Sequence, residues 1–254
     1  MPDPPENPRD ERLGWTGDAE VFSKTAALNM NVFPFFKKYG KDIAIEQQLH
    51  DGMVPMYAPA MGNSDGGAAV WGDAATIIPW NMYQIYGDSA ILRQNYTAMK
   101  DWVAWIQKNS KSSDLWTGTF QFGDWLALDG ENPALPTGKT EEDFIASVYY
   151  YYSNDIIAKT AEILNFANDA TYYREQAQRI KEAIVKEYIT ANGRLAIDTQ
   201  TAYAIALYFE LVPQSQRSRV AKDLVTRLKK DNDHLKTGFV GTPFICQVFH
   251  HAPP

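Results

Sequence analysis

Residues 9–18 read Arg-Asp-Glu-Arg-Leu-Gly-Trp-Thr-Gly-Asp, three carboxyl groups and two guanidinium groups within ten positions. A run of this kind makes an ordinary salt-bridged loop when it lies in solvent. The neighbours Gly14, Trp15 and Gly17 change that expectation, because glycines on either side of an indole mark a chain turning tightly beside an aromatic ring. A carboxyl such as Glu11 held against Trp15 would lose hydration and keep its proton near neutral pH. That is the requirement for a general acid in glycoside cleavage.

Two long stretches without helical periodicity, His50 to Ala69 and Lys111 to Lys139, mix Asp, Gly and Trp in a similar way, in MYAPAMGNSDGG and FGDWLALDGENP. Loops of this length in a compact domain are usually functional or mobile. Carboxylates beside indole rings suit a pyranose, which offers hydroxyls at its rim and apolar C–H groups on its faces.

The elements that must position these loops are helical. Leu92, Tyr96, Met99, Val103 and Ile106 step by three and four along one face, as do Ile145, Val148, Tyr152 and Ile156, then Tyr173, Ala177, Ile180, Ile184 and Tyr188, then Val220, Leu224 and Leu228. Thr140 with Asp143 has the form of a capping box at the start of the second of these helices. Residues 18–39 and 71–86 are each followed by a glycine, Gly40 and Gly87, of the kind that closes a helix in the left-handed conformation and turns the chain back. Segments apolar on most sides alternate with segments charged on one face. The pattern predicts inner helices jacketed by outer ones, with no convincing β-alternation.

Composition narrows the partners. Of 254 residues, 45% are hydrophobic and 22% charged, so a sizeable core is possible and extensive disorder is not expected. A net charge of −7 disfavours nucleic acid and anionic membrane surfaces. One cysteine, Cys246, excludes an internal disulfide framework and any multi-cysteine zinc site. The first twelve residues are polar and proline-rich with no visible signal peptide, and no apolar run reaches the ~18–20 residues of a membrane span. The expectation is one cytoplasmic domain over residues 1–254, with no metal and no cofactor. Gly138-Lys139-Thr140 lacks the earlier glycine and strand of a phosphate loop, and His250-His251 lacks ligand spacing. Asn95-Tyr96-Thr97 is a glycosylation sequon set inside a helical pattern.

Five blocks, RDERLGWTGDAEVFSKTAA, DGMVPMYAP, AVWGDAATIIPWNMYQIYGD, FGDWLAL and TGFVGTPF, resemble in order and spacing the catalytic domain of α-L-rhamnosidases of glycoside hydrolase family 78. The resemblance runs from about residue 8 to residue 248. It implies an all-α (α/α)6 barrel and inverting hydrolysis of terminal α-L-rhamnosides, in which an acid protonates the leaving oxygen while water attacks the opposite face. By position it makes Glu11 the general acid and makes Arg9, Trp15 and Asp18 residues that hold the rhamnose. Trp71 and Trp125 become aromatic walls of the pocket, with an ordinary core tryptophan as the alternative for each. Asp73 and Asp124 are secondary candidates that could instead cap or brace a helix.

The departures from the family pattern matter as much. Where the family carries Asp-Cys-Pro-Gln before the arginine, this chain has Pro5-Glu6-Asn7-Pro8, so a sugar-binding carboxylate is replaced unless Asp3 or Glu6 substitutes. The family's general base is a glutamate well downstream of the segment matching Gly241-Thr242-Pro243-Phe244, and this chain stops at Pro254. The expectation is an incomplete barrel lacking its last helical hairpin and its flanking β-sandwich domains. Three functional readings follow. The chain is an inverting glycosidase using Asp65, Asp73, Asp124 or Asp129 as base, a catalytically incomplete rhamnose-binding remnant, or half of a split enzyme with a completing C-terminal fragment. An open seam along the first buried helix would leave Val21, Phe22, Leu28, Val32 and Phe36 partly wet and favour homo-oligomers.

Overall fold

The computed structural model describes residues 12–62, 65–132 and 136–251. Among these residues there are nine α-helices and no strand, only isolated bridges. The helices are α1 Thr16–Asn29, α2 Phe33–Leu49, α3 Ala74–Tyr86, α4 Ala90–Asn109, α5 Glu142–Ile163, α6 Ala167–Tyr188, α7 Gln200–Tyr208, α8 Arg217–Lys230 and α9 Thr242–His251.

The odd-numbered helices pack on one another, α1 on α3, α3 on α5 and α7 on α9, while α2, α4, α6 and α8 lie outside them. Composition explains the division. In α3, Ala74 to Pro79 are all buried, with only the last turn around Gln84 and Ile85 exposed, and in α7 every residue from Gln200 to Leu207 is buried, so neither has the one-sided pattern of a surface helix. The outer α4 buries one stripe, including Leu92, Met99, Trp102 and Ile106, and α8 buries Val220, Ala221 and Leu224 under a basic surface. A single apolar cluster draws residues from all nine helices. No helix among the described residues is long and apolar enough to cross a membrane.

Local chemistry sets the helix ends. Gly87 closes α3 in the left-handed conformation at φ 73°, its N–H bonded to the carbonyl of Tyr83. Thr199 caps α7 by accepting the N–H of Ala202. The expected helix over 18–39 is instead two, because the chain breaks after Asn29 and restarts with Pro34 in the first turn of α2. Gly40 is not a terminator. It sits mid-helix where a Cβ would run into the side chain of Asn95 on α4, so its role is close helix packing. The expected capping box also does not form. Thr140 Oγ1 bonds Thr199 Oγ1 at 2.7 Å, tying the start of α5 to the start of α7.

The expectation of a wet seam is corrected in part. Val32 and Phe36 belong to the buried core, Val21 and Phe22 pack against it, and Leu28 alone of the five is fully exposed. The sequon asparagine Asn95 is buried, with its amide bonded to the carbonyl of Ile91, and offers no accessible acceptor.

Candidate functional site

The N-terminal ends of α1 and α3 and the loops preceding α5 and α9 converge on one ring, the indole of Trp71. Gly17, in the first turn of α1, lies so close that a Cβ there would stand 2.6 Å from the indole. Phe122 packs on the ring at 4.2 Å between centroids, Phe239 stacks nearly parallel at 6.0 Å, and Trp125 meets it edge-on at 6.5 Å. Such aromatic contacts each contribute about 0.5–1.5 kcal/mol beyond area burial. Trp71 itself is 2% exposed and its indole N–H has no partner among the described residues, whereas Phe122, Trp125 and Phe239 remain half-buried. Trp71 is thus the buried backing of the wall, and the other three form its surface.

The two tryptophans are held by the same device. Asp73, two residues after Trp71, is fully buried and accepts Val70 N at 2.9 Å, Trp102 Nε1 at 2.9 Å and Ser153 Oγ at 2.6 Å. Val70, immediately before Trp71, has φ 71°, a left-handed backbone that costs a β-branched residue on the order of 1–3 kcal/mol. Asp124, immediately before Trp125, is also fully buried. It accepts Gly238 N at 3.0 Å, Val240 N at 2.8 Å, Gly241 N at 3.3 Å and the hydroxyl of Thr201. Leu126, immediately after Trp125, has φ 61°. Burial raises the pKa of both acids, and their hydrogen-bond donors oppose the rise.

Asp124 also fixes the segment that carries Phe239. The Phe239 N–H bonds the carbonyl of Trp125 at 2.8 Å, and Gly238 leaves no room for a side chain against the Trp125 backbone. Asp73 and Asp124 therefore answer to the bracing alternative: they orient the wall and present no accessible oxygen to a ligand.

Trp15 stands immediately before α1, pairs by an isolated bridge with Tyr57 and meets its ring edge-on at 5.4 Å. Thr16 anchors this turn through its hydroxyl to the carbonyl of Met56 at 2.9 Å. Asp18 is half-buried in the first turn of α1, next to Gly17. The structure thus brings Trp71 and Trp125 into contact and sets the Asp18 turn on the Trp71 ring, with Trp15 at the mouth of that turn. Arg9 and Glu11 lie outside the described residues, as do Asp3 and Glu6. Phe122 and Phe239 complete the wall without a sequence signal of their own beyond their place in the blocks FGDWLAL and TGFVGTPF. Among the described residues no cluster of three or more acidic, histidine or cysteine side chains could hold a metal ion.

Comparison with known proteins agrees across sequence and fold. The model of the bacterial alpha-L-rhamnosidase 6 hairpin glycosidase domain matches residues 3–252. An alpha-L-rhamnosidase of Streptomyces avermitilis is 38% identical over 240 residues, covering 94% of this chain and 22% of that protein. The crystal structure of the Streptomyces avermitilis alpha-L-rhamnosidase complexed with L-rhamnose superposes with a TM-score of 0.86 at 37% identity, over 96% of this chain and 22% of that one. The structure of the native enzyme from Aspergillus terreus superposes with a TM-score of 0.87 at 34% identity, over 96% and 28%. This chain therefore spans roughly a quarter of the length of the relatives it matches.

Proposed function

The chain belongs to the family of bacterial α-L-rhamnosidase six-hairpin glycosidase domains, and from that premise we propose that its aromatic wall receives the terminal L-rhamnose of a rhamnoside whose glycosidic bond is hydrolysed with inversion. The observation that carries this reading is the paired construction of the wall. Trp71 and Trp125 each adjoin a left-handed non-glycine residue, and each is fixed by a buried aspartate. Backbone strain of this kind persists only where the surroundings enforce it, and it concentrates at ligand sites.

In the proposed reaction Glu11 gives its proton to the glycosidic oxygen as the bond from that oxygen to the anomeric carbon breaks. Water adds to the anomeric carbon from the opposite face and loses its proton to a second carboxylate, the two carboxyls standing roughly 6.5–9.5 Å apart. Arg9 and Asp18 hold sugar hydroxyls, while Trp15, Trp125, Phe122 and Phe239 cover the apolar faces of the ring. Asp65 and Asp129 are the loop acids that remain candidates for the base. Asp73 and Asp124 have their oxygens committed to buried donors. The same commitment favours a second reading, in which this stretch recognises rhamnose and does not turn it over by itself.

The test is hydrolysis of an aryl α-L-rhamnoside, with the first-formed anomer read by proton NMR. Inversion requires β-L-rhamnose first. Glu11→Gln should lower the rate by roughly 10²–10⁴-fold on substrates with poor leaving groups and by much less on activated aryl rhamnosides. Equal losses on both would refute Glu11 as the acid. If no turnover occurs, saturable quenching of tryptophan fluorescence by L-rhamnose but not by D-glucose supports recognition alone, and no response to either sugar refutes both readings.

A further inference from the structure

The inner helices run away from the aromatic wall, and between their far halves lies a second concavity, a cleft of about 300 Å³. Lys24 comes from α1, Trp80 and Gln84 from α3, Tyr152 from α5 and Tyr208 from the end of α7. At about 1.5 Å per residue, Gln84 lies about three helical turns, roughly 15 Å, beyond the start of α3 at Ala74, and the cleft shares no lining residue with the aromatic wall. The cleft is therefore separate from the candidate site.

Its chemistry is that of a surface awaiting hydroxyl groups. The rings of Trp80, Tyr152 and Tyr208 are half-buried, so each keeps an accessible face or edge. The indole N–H of Trp80, the amide of Gln84 and the hydroxyls of Tyr152 and Tyr208 make no hydrogen bond within the described residues, although all line one concavity. The charged rim is mostly self-paired: Lys159 is bonded to Asp155 at 2.6 Å and Glu210 to Arg217 at 3.0 Å, which leaves Lys24 as the one lining charge outside an ion pair among the described residues. Behind the wall, Glu20 is 6% exposed and its Oε2 has no partner among the described residues. Its charge would be felt by Lys24 and Tyr152, which face the cleft. Aromatic surface with several unpaired neutral donors and acceptors, and a single ammonium group among them, fits a polyhydroxylated neutral ligand better than a strongly charged anion or an apolar one.

We propose that this cleft is a second saccharide site, which takes a neutral monosaccharide unit at the end of the helix ring opposite the aromatic wall. A sugar ring lies against Trp80 and Tyr208, and its hydroxyls meet Gln84, Tyr152 and Lys24. The site depends on none of the residues assigned to rhamnoside cleavage.

The indole N–H cross-peak of Trp80, identified by its loss in Trp80→Phe, reports on the cleft in a titration of the full chain by nitrogen–proton NMR. L-rhamnose and D-glucose are the neutral probes, and D-glucuronate and inorganic phosphate the anionic ones. A saturable millimolar shift of the Trp80 peak with at least one neutral sugar is expected, unchanged in Trp125→Ala. Tyr208→Phe keeps the ring and removes the hydroxyl, and should weaken binding about fivefold through the loss of one hydrogen bond while leaving the melting temperature in place. The proposal is overturned if neither neutral sugar moves the peak. A shift equally large with phosphate, or one that Trp125→Ala abolishes, would overturn it as well.

Discussion

Asp73 and Glu20 face the interior from neighbouring elements, one at the start of α3 and the other in the second turn of α1, and both are under 10% exposed. Asp73 accepts three donors from three parts of the chain, whereas Glu20 leaves Oε2 without a partner. Asp124 repeats the first pattern with four donors. The difference separates two uses of a buried acid. Where every oxygen is committed, the acid is a joint that fixes loops around the aromatic wall. Where an oxygen is bare, the acid gains little from ionising and has capacity left for a proton. Gly17, Glu20 and Lys24 follow one another at three- and four-residue steps along α1, so one face of a single helix links the Trp71 ring, the bare acid and the far cleft.

The committed side of this comparison predicts the largest effect. Asp124→Ala leaves four buried donors without an acceptor, and each unsatisfied group costs about 1–3 kcal/mol. A loss of at least about 4 kcal/mol in chemical denaturation is expected, with Phe239 and Trp125 losing their registration. Asp124→Asn is the sharper variant. It keeps the volume but turns one acceptor into a donor facing a donor, so it should retain most of the loss. An asparagine variant as stable as the parent would show that Asp124 fills space and does not organise the loop.

Gly17→Ala comes next. The added methyl group would stand 2.6 Å from the Trp71 ring, which Phe122 and Phe239 hold from other sides. Overpacking of this kind costs about 1–3 kcal/mol, offset by up to about 1 kcal/mol from better helix propensity. The expected outcome is a net loss of about 1–2 kcal/mol by denaturation, together with a weaker fluorescence response to L-rhamnose. A stable variant with an unaltered response would mean that the turn carrying Asp18 does not set the wall.

How much of this was legible in the sequence depends on the range of the forces involved. The stripes of α4, α6 and α8 could be read because one-sided burial leaves a period of three to four in the residues themselves, whereas the stripe read in α5 is only part of a helix buried on most sides. The helix α7 leaves no such period, since both of its faces are buried. The break between α1 and α2 had a local signal in Pro34, but Gly40 competed with it, and only the position of Asn95 on another helix shows why Gly40 is a glycine. The aromatic residues of the site were visible as composition. Their arrangement was not, because Asp124 reaches more than a hundred residues ahead to the backbone of Gly238 to Gly241. Glu20 was invisible as a special residue, since nothing in the run Asp-Ala-Glu-Val distinguishes a buried carboxyl from a solvated one.

Glu20 provides the smallest expected effect and the most direct test of the comparison. Burial raises its pKa well above the ordinary glutamate value, the neighbouring charge of Asp73 adds to the rise, and Lys24 opposes it. Between the unfolded value of about 4.3 and the raised folded value, the native state holds a proton that the unfolded chain has released, so stability falls as pH rises through that window. Below the window the protonated acid is unstrained. Glutamine has nearly the same shape and cannot ionise, so the stability of Glu20→Gln relative to the parent should rise as pH increases from about 4. The limiting slope of the difference is about 1.4 kcal/mol per pH unit. Part of the gain is offset because the glutamine amide places a donor where Oε2 had no partner, a cost of about 1–3 kcal/mol where no water reaches it. The expectation is that the variant gains on the parent as pH rises, read from denaturation midpoints of both between pH 4 and pH 8. The slope of the difference carries the argument, since the amide penalty shifts the two curves by a constant while the titration separates them with pH. Parallel curves would show that Glu20 ionises as it does in the unfolded chain, and the contrast between committed and bare acids would then fail at its bare member.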